Sequence, residues 1–372
     1  MTGRLKGLRR LLWVLAVGFL LIFGLRSLVG DVHPVASTSM EPALHPGEQV
    51  FVRYGLSGLE RFDMVVVTNP SAGTIVKRLV GLPGESVRVT AAGDLHINGK
   101  PLDRGSPRPE AIPIFDGALH PLDGSFLHGG TQVDPWTQVG DGWELDGREL
   151  PAGSSAGLLR YRKNIHDDRI GEDGQVIWGQ ESVRDLILEC EVMPLASGGV
   201  LRFELGEGLE TYQARLDLTS LDSVGVEIRR WVKQPEILTT GQVGLPQDRW
   251  TTVRFANVDD CLTLEVGGTE VGFTGSPTSL AARPAVGERV RLGGEQCLAR
   301  FRGIRILRDQ HYTLRGHYGV SRQLTLGPGE IYVLGDNSAN SLDSRELGPI
   351  PLGRVVGVAT LVVWPWDRIR RR

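Results

Sequence analysis

Short runs of alternating apolar and polar residues recur along this chain, separated by residues that favour turns. The sequence has 49 glycines and 21 prolines among 372 residues. Alternation with a period of two is typical of half-buried β-strands, which glycine and proline interrupt or end. The chain is therefore predicted to be mainly β. The clearest early strands are predicted at 49–53, 63–68, 74–80 and 86–90, and the Asn98-Gly99 pair predicts a hairpin turn over 94–100.

The strand pattern is interrupted in the middle of the chain. It loosens into Pro-, Gly- and Asp-rich sequence over 104–182, with weak strands near Trp143 and over 158–162. It returns strongly over 183–308, with eight or more short strands. Such a series is typical of a jelly-roll-like β-sandwich. We therefore predict one domain formed by 31–103 and 311–366, an irregular extension over 104–182, an inserted β-sandwich over 183–308 and a basic tail over 367–372.

The N-terminal segment combines positive charge with one long apolar run. Residues 1–30 contain five Lys and Arg residues and no carboxylate, and residues 11–25 are apolar without interruption. About twenty helical residues cross the hydrocarbon core of a bilayer. We predict a basic cytoplasmic segment and a transmembrane helix over 1–30, with the rest of the chain outside. A cleaved signal peptide is the alternative, because the run also fits an h-region and small residues follow at Ala36 and Ser37.

The overall charge and the cysteines exclude several classes of function. A net charge of −3 gives no electrostatic footprint for nucleic acid. Cys190, Cys261 and Cys297 fit no zinc-binding spacing, and they permit either one disulfide or buried thiols. The acidic residues of 167–174 fail the EF-hand spacing, so a solvated loop is favoured. We predict neither a metal nor a cofactor.

A serine shortly after the apolar run is a candidate nucleophile. The hydroxyl of Ser39 needs a neighbouring base to become reactive, and the eight histidines offer no convincing arrangement. The G-x-S-x-G match at 153–157 lacks a clear strand before it and a helical pattern after it, which favours a loop. Lys77 lies between apolar neighbours in a predicted strand, where burial would lower the pKa of its ammonium. A solvent-facing strand lysine is the alternative.

Four segments occur in an order that points to one family. They are STSMEPAL at 37–44, FDMVVV at 62–67, VKRLVGLPGE at 76–85 and GDNSANSLDSR at 335–345. Together, behind an N-terminal apolar run, they resemble the sequence boxes of type I signal peptidases, the membrane-anchored Ser/Lys proteases that remove signal peptides from exported proteins. The resemblance covers 1–103 and 311–366.

The resemblance implies a role for each matching residue. Ser39 would be the nucleophile and Lys77 the general base. The backbone N–H of Ser39 and the hydroxyl of Ser37 would form the oxyanion hole, and Ser341 would orient the amine of Lys77. The implied fold is a signal-peptidase-type β catalytic domain, interrupted here by the sandwich.

The resemblance also implies a supporting ion pair, and three parts of this sequence depart from the family pattern. Asp343 and Arg345 would form a supporting ion pair. Ser338-Ala339 stands where many members have Arg-Asp, so a salt bridge often found there is expected to be absent. Val35 replaces a common proline, and Ala43 replaces a usual threonine. None of these changes removes a catalytic group.

The family also implies a substrate and a location. Signal peptides with small residues at −1 and −3 would bind as an extended strand, with Met40, Ile75 and Val76 as pocket walls. The implied location is the outer face of the bacterial cytoplasmic membrane, against the lipid bilayer. The sandwich, similar to concanavalin-like or laminin-G-like domains, has no assigned partner. The alternatives are a membrane-tethered binding protein with an inert protease scaffold and, less favoured, a self-cleaving Ser/Lys repressor.

Overall fold

The structure is a computed structural model that describes residues 13, 29–71, 73–101, 109–128, 134–275 and 289–371. The chain divides into two compact units, and each is described by itself. The first unit consists of residues 1–91, 95–108 and 312–372, and the second of residues 92–94 and 109–311. Both are built from β-strands, so the prediction of a mainly β protein is confirmed.

The first unit opens with the strands nearest the candidate nucleophile. Within the described residues they are β1 (Gly30–Pro34), β2 (Gln49–Tyr54), β3 (Met64–Asn69), β4 (Gly73–Gly81), β5 (Ser86–Val89), β6 (Leu95–Ile97) and β7 (Lys100–Pro101). The four predicted early strands match β2 to β5 closely. The hairpin between β6 and β7 is also confirmed, because Asn98 and Gly99 have the positive φ values, 53° and 78°, that a two-residue turn of this kind needs.

The second unit contains the next seventeen described strands. They are β8 (Ile112–Asp116), β9 (Phe126–Leu127), β10 (Trp136–Val139), β11 (Gly142–Asp146), β12 (Leu158–Tyr161), β13 (Arg169–Ile170), β14 (Val176–Ile177), β15 (Leu186–Pro194), β16 (Val200–Glu207), β17 (Glu210–Asp217), β18 (Val224–Trp231), β19 (Pro235–Val243), β20 (Thr251–Val258), β21 (Cys261–Val266), β22 (Thr269–Thr274), β23 (Val290–Glu295) and β24 (Leu298–Arg308). Strands β8 to β14 fall in the predicted irregular extension, where β11 and β12 match the weak strands predicted near Trp143 and over 158–162. They are two to five residues long, too short to show a clear alternation.

The chain then returns to the first unit. Its remaining described strands are β25 (Leu324–Thr325), β26 (Glu330–Leu334), β27 (Ile350–Pro351), β28 (Val355–Trp364) and β29 (Arg370–Arg371). A single turn of α-helix, α1 (Ser344–Leu347), is accompanied by 3₁₀ turns at Thr38–Met40, Ser338–Asn340, Leu352–Arg354 and Trp366–Arg368.

The predicted transmembrane helix needs correction. Across the described residues, no helix has both the length and the apolar character needed to cross a membrane. The predicted run over 11–25 lies outside the described residues apart from Trp13, and extended backbone begins at Gly30. The fold class of the described residues is therefore mainly β.

In the first unit, one twisted antiparallel sheet positions the candidate residues. Its described strands run in the order β1-β2-β28-β3-β4-β26-β27, with β29 paired to β28, and β25-β5-β6-β7 form a second sheet. Alternate side chains of β3 and β4 lie on opposite faces and enter separate apolar clusters. Residue Lys77 lies opposite Val65 in the pairing of β3 with β4. The lysine therefore pairs with β3 on one side and lies just before the point at which the pairing of β4 with β26 begins, at Arg78.

The second unit is a sandwich of two large sheets. Among the described strands, one sheet has the order β10-β11-β24-β15-β20-β21-β22, with β8 paired to β24, and the other has the order β19-β18-β17-β16-β23-β12-β9. Apolar side chains from both sheets meet in one core that includes Phe203, Phe255 and Phe301. The sequence permitted either one disulfide or unpaired thiols. In the structure, Cys190, Cys261 and Cys297 are all free thiols.

Candidate active site

Ser39 lies on a tight turn that follows β1. Thr38–Met40 forms one turn of 3₁₀ helix, which the bond from the Glu41 N–H to the Thr38 carbonyl closes at 3.1 Å. The Met40 side chain is 1% exposed and packs into an apolar cluster of the first unit. This apolar anchor fixes the neighbouring Ser39, whose side chain is 6% exposed.

The amine of Lys77 donates a hydrogen bond to the hydroxyl oxygen of Ser39. Lys77 lies in the middle of β4 and is 2% exposed, so its ammonium has little contact with water. Burial lowers the pKa of Lys77 from 10.5 to about 8, while the negative charges of Asp343 and Asp336 oppose that shift. Both the contact and the lowered pKa fit a general base.

Ser37 lies beside the same hydroxyl. Its Oγ is 3.1 Å from Ser39 Oγ, and either group can be the donor. Ser37 is exposed, whereas Ser39 is buried. The two hydroxyls therefore stand at the boundary between solvent and the buried amine, where an incoming carbonyl could meet both.

The loop after β26 approaches the backbone of Ser39 closely. The Asn337 N–H donates to the Ser39 carbonyl oxygen at 3.0 Å, and the Asn337 side chain donates to the Thr38 carbonyl oxygen at 3.1 Å. A Cβ added at Gly335 would lie 2.2 Å from Ser341 Oγ and 2.5 Å from the Ser39 carbonyl oxygen. Glycine at 335 is what allows these segments to meet. The loop that contains Asn337 thus bonds to the backbone of the Thr38–Met40 turn.

Ser341 reaches this region but does not bond to the lysine. Its Oγ is buried and has no hydrogen-bond partner in the described part of the chain. The bond to Lys77 that the family resemblance implied is therefore not formed in this structure, in which the lysine amine donates to Ser39. The buried hydroxyl of Ser341 remains available as an acceptor.

Asp343 and Arg345 form a buried ion pair under the site. Arg345 Nη2 and Nε lie 2.8 and 2.9 Å from the two carboxylate oxygens of Asp343, and the residues are 1% and 0% exposed. Arg345 also donates to Ser338 Oγ and to the Ser338 carbonyl oxygen. Ser338, which stands where many family members have arginine, therefore accepts hydrogen bonds from the supporting arginine.

A second buried ion pair, between Arg78 and Asp336, was not predicted from the sequence. The guanidinium of Arg78 pairs with both carboxylate oxygens of Asp336, and Arg78 also donates to the Phe62 carbonyl oxygen at 2.8 Å. Arg78 directly follows the buried lysine on β4, and alternation places its side chain on the opposite face. The only available signal was the Lys77-Arg78 doublet in an apolar strand, since the partner lies 258 residues away in sequence.

The three expected pocket residues do not share one face of the sheet. Met40 belongs to one apolar cluster and Val76 packs against it, whereas Ile75 packs against a different cluster. Adjacent residues of a strand point to opposite faces, which separates Ile75 from Val76. The geometry brings Met40 and Val76 together without Ile75.

One group of carboxylates in the second unit could hold a cation. Single carboxylate oxygens of Asp94, Asp185 and Asp259 lie within 4.8 Å of one another. Burial and mutual repulsion raise the pKa of Asp94 to about 7 and that of Asp185 well above its usual range. Either protonation or a hard cation would relieve this repulsion. The group belongs to the sandwich and is not part of the serine–lysine site.

Half of the chain matches one known protein family. The family described as "Signal peptidase, peptidase S26" matches residues 8–118 and 290–364, half of the chain. The chain belongs to this signal peptidase family. The two matched segments contain Ser39 and Lys77 on one side and the loop after β26 on the other, so the insertion separates parts of one family domain.

Curated relatives agree with the family. Signal peptidase I of Bacillus caldolyticus is 33% identical over 135 residues, which cover 34% of this chain and 70% of the relative. Signal peptidase IB of Staphylococcus aureus is 30% identical over 126 residues, or 32% of this chain and 61% of the relative. The probable signal peptidase I-2 of Synechocystis is 35% identical over 95 residues, or 23% of this chain and 43% of the relative. For the last two, the matched part spans less than two thirds of the relative.

Solved structures align with about half of this chain at low sequence identity. A carbohydrate binding module from Bacillus subtilis aligns with 53% of this chain and 98% of its own, at 10% sequence identity and a TM-score of 0.31. A β-glucanase from Bacillus licheniformis aligns with 55% of this chain and 99% of its own, at 9% identity and a TM-score of 0.32.

Proposed function

We propose that this protein is a serine endopeptidase that removes signal peptides from exported preproteins. Ser39 is the nucleophile and Lys77 is the general base. The observation that carries the proposal is the hydrogen bond from the buried Lys77 amine to Ser39 Oγ. Membership of the signal peptidase family supports the substrate class.

The proton transfers follow from the contact between the two side chains. Neutral Lys77 takes the proton of Ser39 as the oxygen attacks the scissile carbonyl carbon, and it then gives that proton to the leaving amine. Water hydrolyses the resulting ester, with the same amine as base. A pKa of about 8 leaves about a tenth of the lysine neutral at pH 7. Burial therefore makes an otherwise weak base usable near neutrality.

Charge that develops on the carbonyl oxygen needs donors close to the nucleophile. We assign these donors to the Ser39 backbone N–H and the Ser37 hydroxyl, because Ser37 Oγ lies 3.1 Å from Ser39 Oγ. Loss of one oxyanion donor costs about 100- to 1,000-fold in kcat in serine proteases. Ser37→Ala should therefore lower kcat strongly with a smaller effect on KM.

The substrate is proposed to bind as an extended strand with small side chains at −1 and −3. Backbone hydrogen bonds supply affinity in this mode, and shallow pockets select side chains. Met40 and Val76, which share one cluster, are proposed as the walls of such a pocket. We further propose that the enzyme acts at the outer face of the bacterial cytoplasmic membrane, which protease accessibility of the protein in intact cells would test.

The two compact units are proposed to have different roles. We propose that 31–103 and 311–366 carry the chemistry and that 183–308 is an inserted accessory sandwich, because Ser39, Lys77 and Ser341 all lie in the first unit. The partner of the sandwich is not assigned. An inert scaffold is disfavoured, since a chain without activity has no need to keep a lysine buried against a serine.

The proposal is tested by cleavage of a preprotein with purified protein. Ser39→Ala and Lys77→Met should each abolish cleavage, whereas Lys100→Met, a change of an exposed lysine on β7, should leave it unaltered. Mass spectrometry of the products should place the cut after a small residue. Cleavage by Ser39→Ala at the wild-type rate would disprove the assignment of the nucleophile.

A further inference from the structure

The last residues of the chain fold back onto the sheet that bears the active site. After β28, the chain passes through the 3₁₀ turn Trp366–Arg368 and pairs β29 with β28, so that Arg370 lies opposite Val362. The match to the signal peptidase family ends at residue 364. The returning strand is therefore an addition to the matched region.

The guanidinium of Arg370 makes several contacts at one place. Its Nη2 donates to the Ala43 carbonyl oxygen and to Glu48 Oε2, each at 3.0 Å. Its Nη1 lies 2.8 Å from Glu48 Oε1, and Arg368 Nη1 lies farther away, 4.0 Å from the same oxygen. Glu48 is 1% exposed, so its carboxylate depends on these cations for compensation.

These contacts hold the segment that follows the nucleophile. Glu48 Oε2 also accepts a hydrogen bond from the His45 N–H at 3.0 Å, and the Leu44 N–H donates to the Met40 carbonyl oxygen at 2.9 Å. The turn after Ser39 is thus closed on itself and attached to β29 through Arg370. Among the described residues, no bond of Arg370 reaches Ser39, so any effect on the reaction must act through this turn.

We propose that Arg370 is a positioning residue, which holds the turn over 40–48 through Ala43 and Glu48 and thereby keeps Ser39 Oγ at the Lys77 amine. The effect on catalysis rests on the proposed function. The reacting groups of an enzyme tolerate misplacement poorly, since a shift of about 1 Å can lower the rate about a hundredfold. A clamp four residues beyond the nucleophile is close enough to control that placement.

The test compares Arg370→Met with Arg371→Met in the full-length protein. Arg371 is the exposed neighbour on the same short strand, so the control removes equal charge without touching Glu48. With a preprotein as substrate, Arg370→Met should lower kcat about tenfold and leave KM within about twofold, because the clamp places the nucleophile without contacting substrate. Arg370→Lys should restore part of kcat, since an ammonium keeps the charge but lacks the planar fork.

Amide hydrogen exchange supplies a readout that needs no activity. The N–H groups of Leu44 and Glu48 should exchange faster in Arg370→Met than in Arg371→Met, whereas amides of β3 and β4 should not change. Equal kcat and equal exchange in the two variants would overturn the proposal, as would a loss of kcat matched by unfolding of the whole protein. A wild-type protein without cleavage activity would refute the proposed function, and the exchange comparison would still decide whether the clamp exists.

Discussion

Replacing Lys77 by methionine should make the protein more stable at neutral pH while it removes activity. Burial lowers the lysine pKa from 10.5 to about 8, and each pKa unit corresponds to about 1.4 kcal/mol. Holding the ammonium in the folded protein thus costs about 3 kcal/mol at pH 7. The variant also loses the hydrogen bond to Ser39, worth about 1 kcal/mol net. We expect Lys77→Met to be about 2 kcal/mol more stable.

The pH dependence of this difference has a definite sign. Below about pH 8, both the folded and the unfolded wild type carry the lysine proton, so the full cost applies. Between about 8 and 10.5, the folded protein releases this proton while the unfolded chain keeps it, and the wild type gains stability as the pH rises. The advantage of Lys77→Met should therefore shrink across this window.

Urea unfolding of the wild type, Lys77→Met and Lys100→Met at pH 7 and pH 9.5 measures this difference. Lys100 is exposed and serves as the control for removal of one positive charge. Asp343 and Asp336 keep their arginine partners in the variant, so no carboxylate is left without compensation. A Lys77→Met protein less stable than the wild type at pH 7, or one whose stability difference is equal at both pH values, would refute the reasoning.

Two further substitutions test the support of the site. Gly335→Ala adds a Cβ that collides with the Ser39 carbonyl oxygen and with the side chain of Ser341, and it should lower kcat about a hundredfold. Gly353→Ala, with open space around the added Cβ, should leave kcat unchanged. Steady-state kinetics of the two variants would measure this difference. Arg345→Met leaves the carboxylate of Asp343 buried without its cation and should reduce the free energy of unfolding by about 3–5 kcal/mol. Arg354→Met, at an exposed position, should change the free energy of unfolding little. Denaturant unfolding of both variants measures the difference.

Local sequence patterns were sufficient for much of the first unit. The strands around Val65 and Lys77 alternate clearly, and the Asn98-Gly99 turn has a backbone requirement that few other residues meet. The pairing of Ser39 with Lys77 came from four segments in a fixed order and not from periodicity, since nothing in either segment alone specifies the other.

Contacts between distant residues could not be predicted in the same way. Arg78 and Asp336 are 258 residues apart, and the basic tail gave no sign that Arg370 would bind Glu48. Side-chain pairing of this kind depends on the register of strands that the chain brings together only when folded. The expected bond between Ser341 and the lysine is not formed in this structure, and Ser341 Oγ has no hydrogen-bond partner in the described part of the chain.

Prediction from the sequence was also limited in the middle of the chain and at the N-terminus. Strands such as Phe126–Leu127 are too short for a period-two pattern, although they complete a large sheet by pairing with a neighbour. An apolar run over 11–25 satisfied a length criterion for a membrane span, and that prediction was wrong for the structure as described.

The central claim is that Lys77 acts as a neutral base towards Ser39. The pH dependence of kcat/KM for cleavage of a preprotein tests it most directly, because this parameter reports the pKa of the essential base in the free enzyme. The account predicts that kcat/KM rises about tenfold per pH unit below an inflection near pH 8 and then levels off. A profile that is flat between pH 6 and 9, or one that still rises steeply above pH 10, would contradict it.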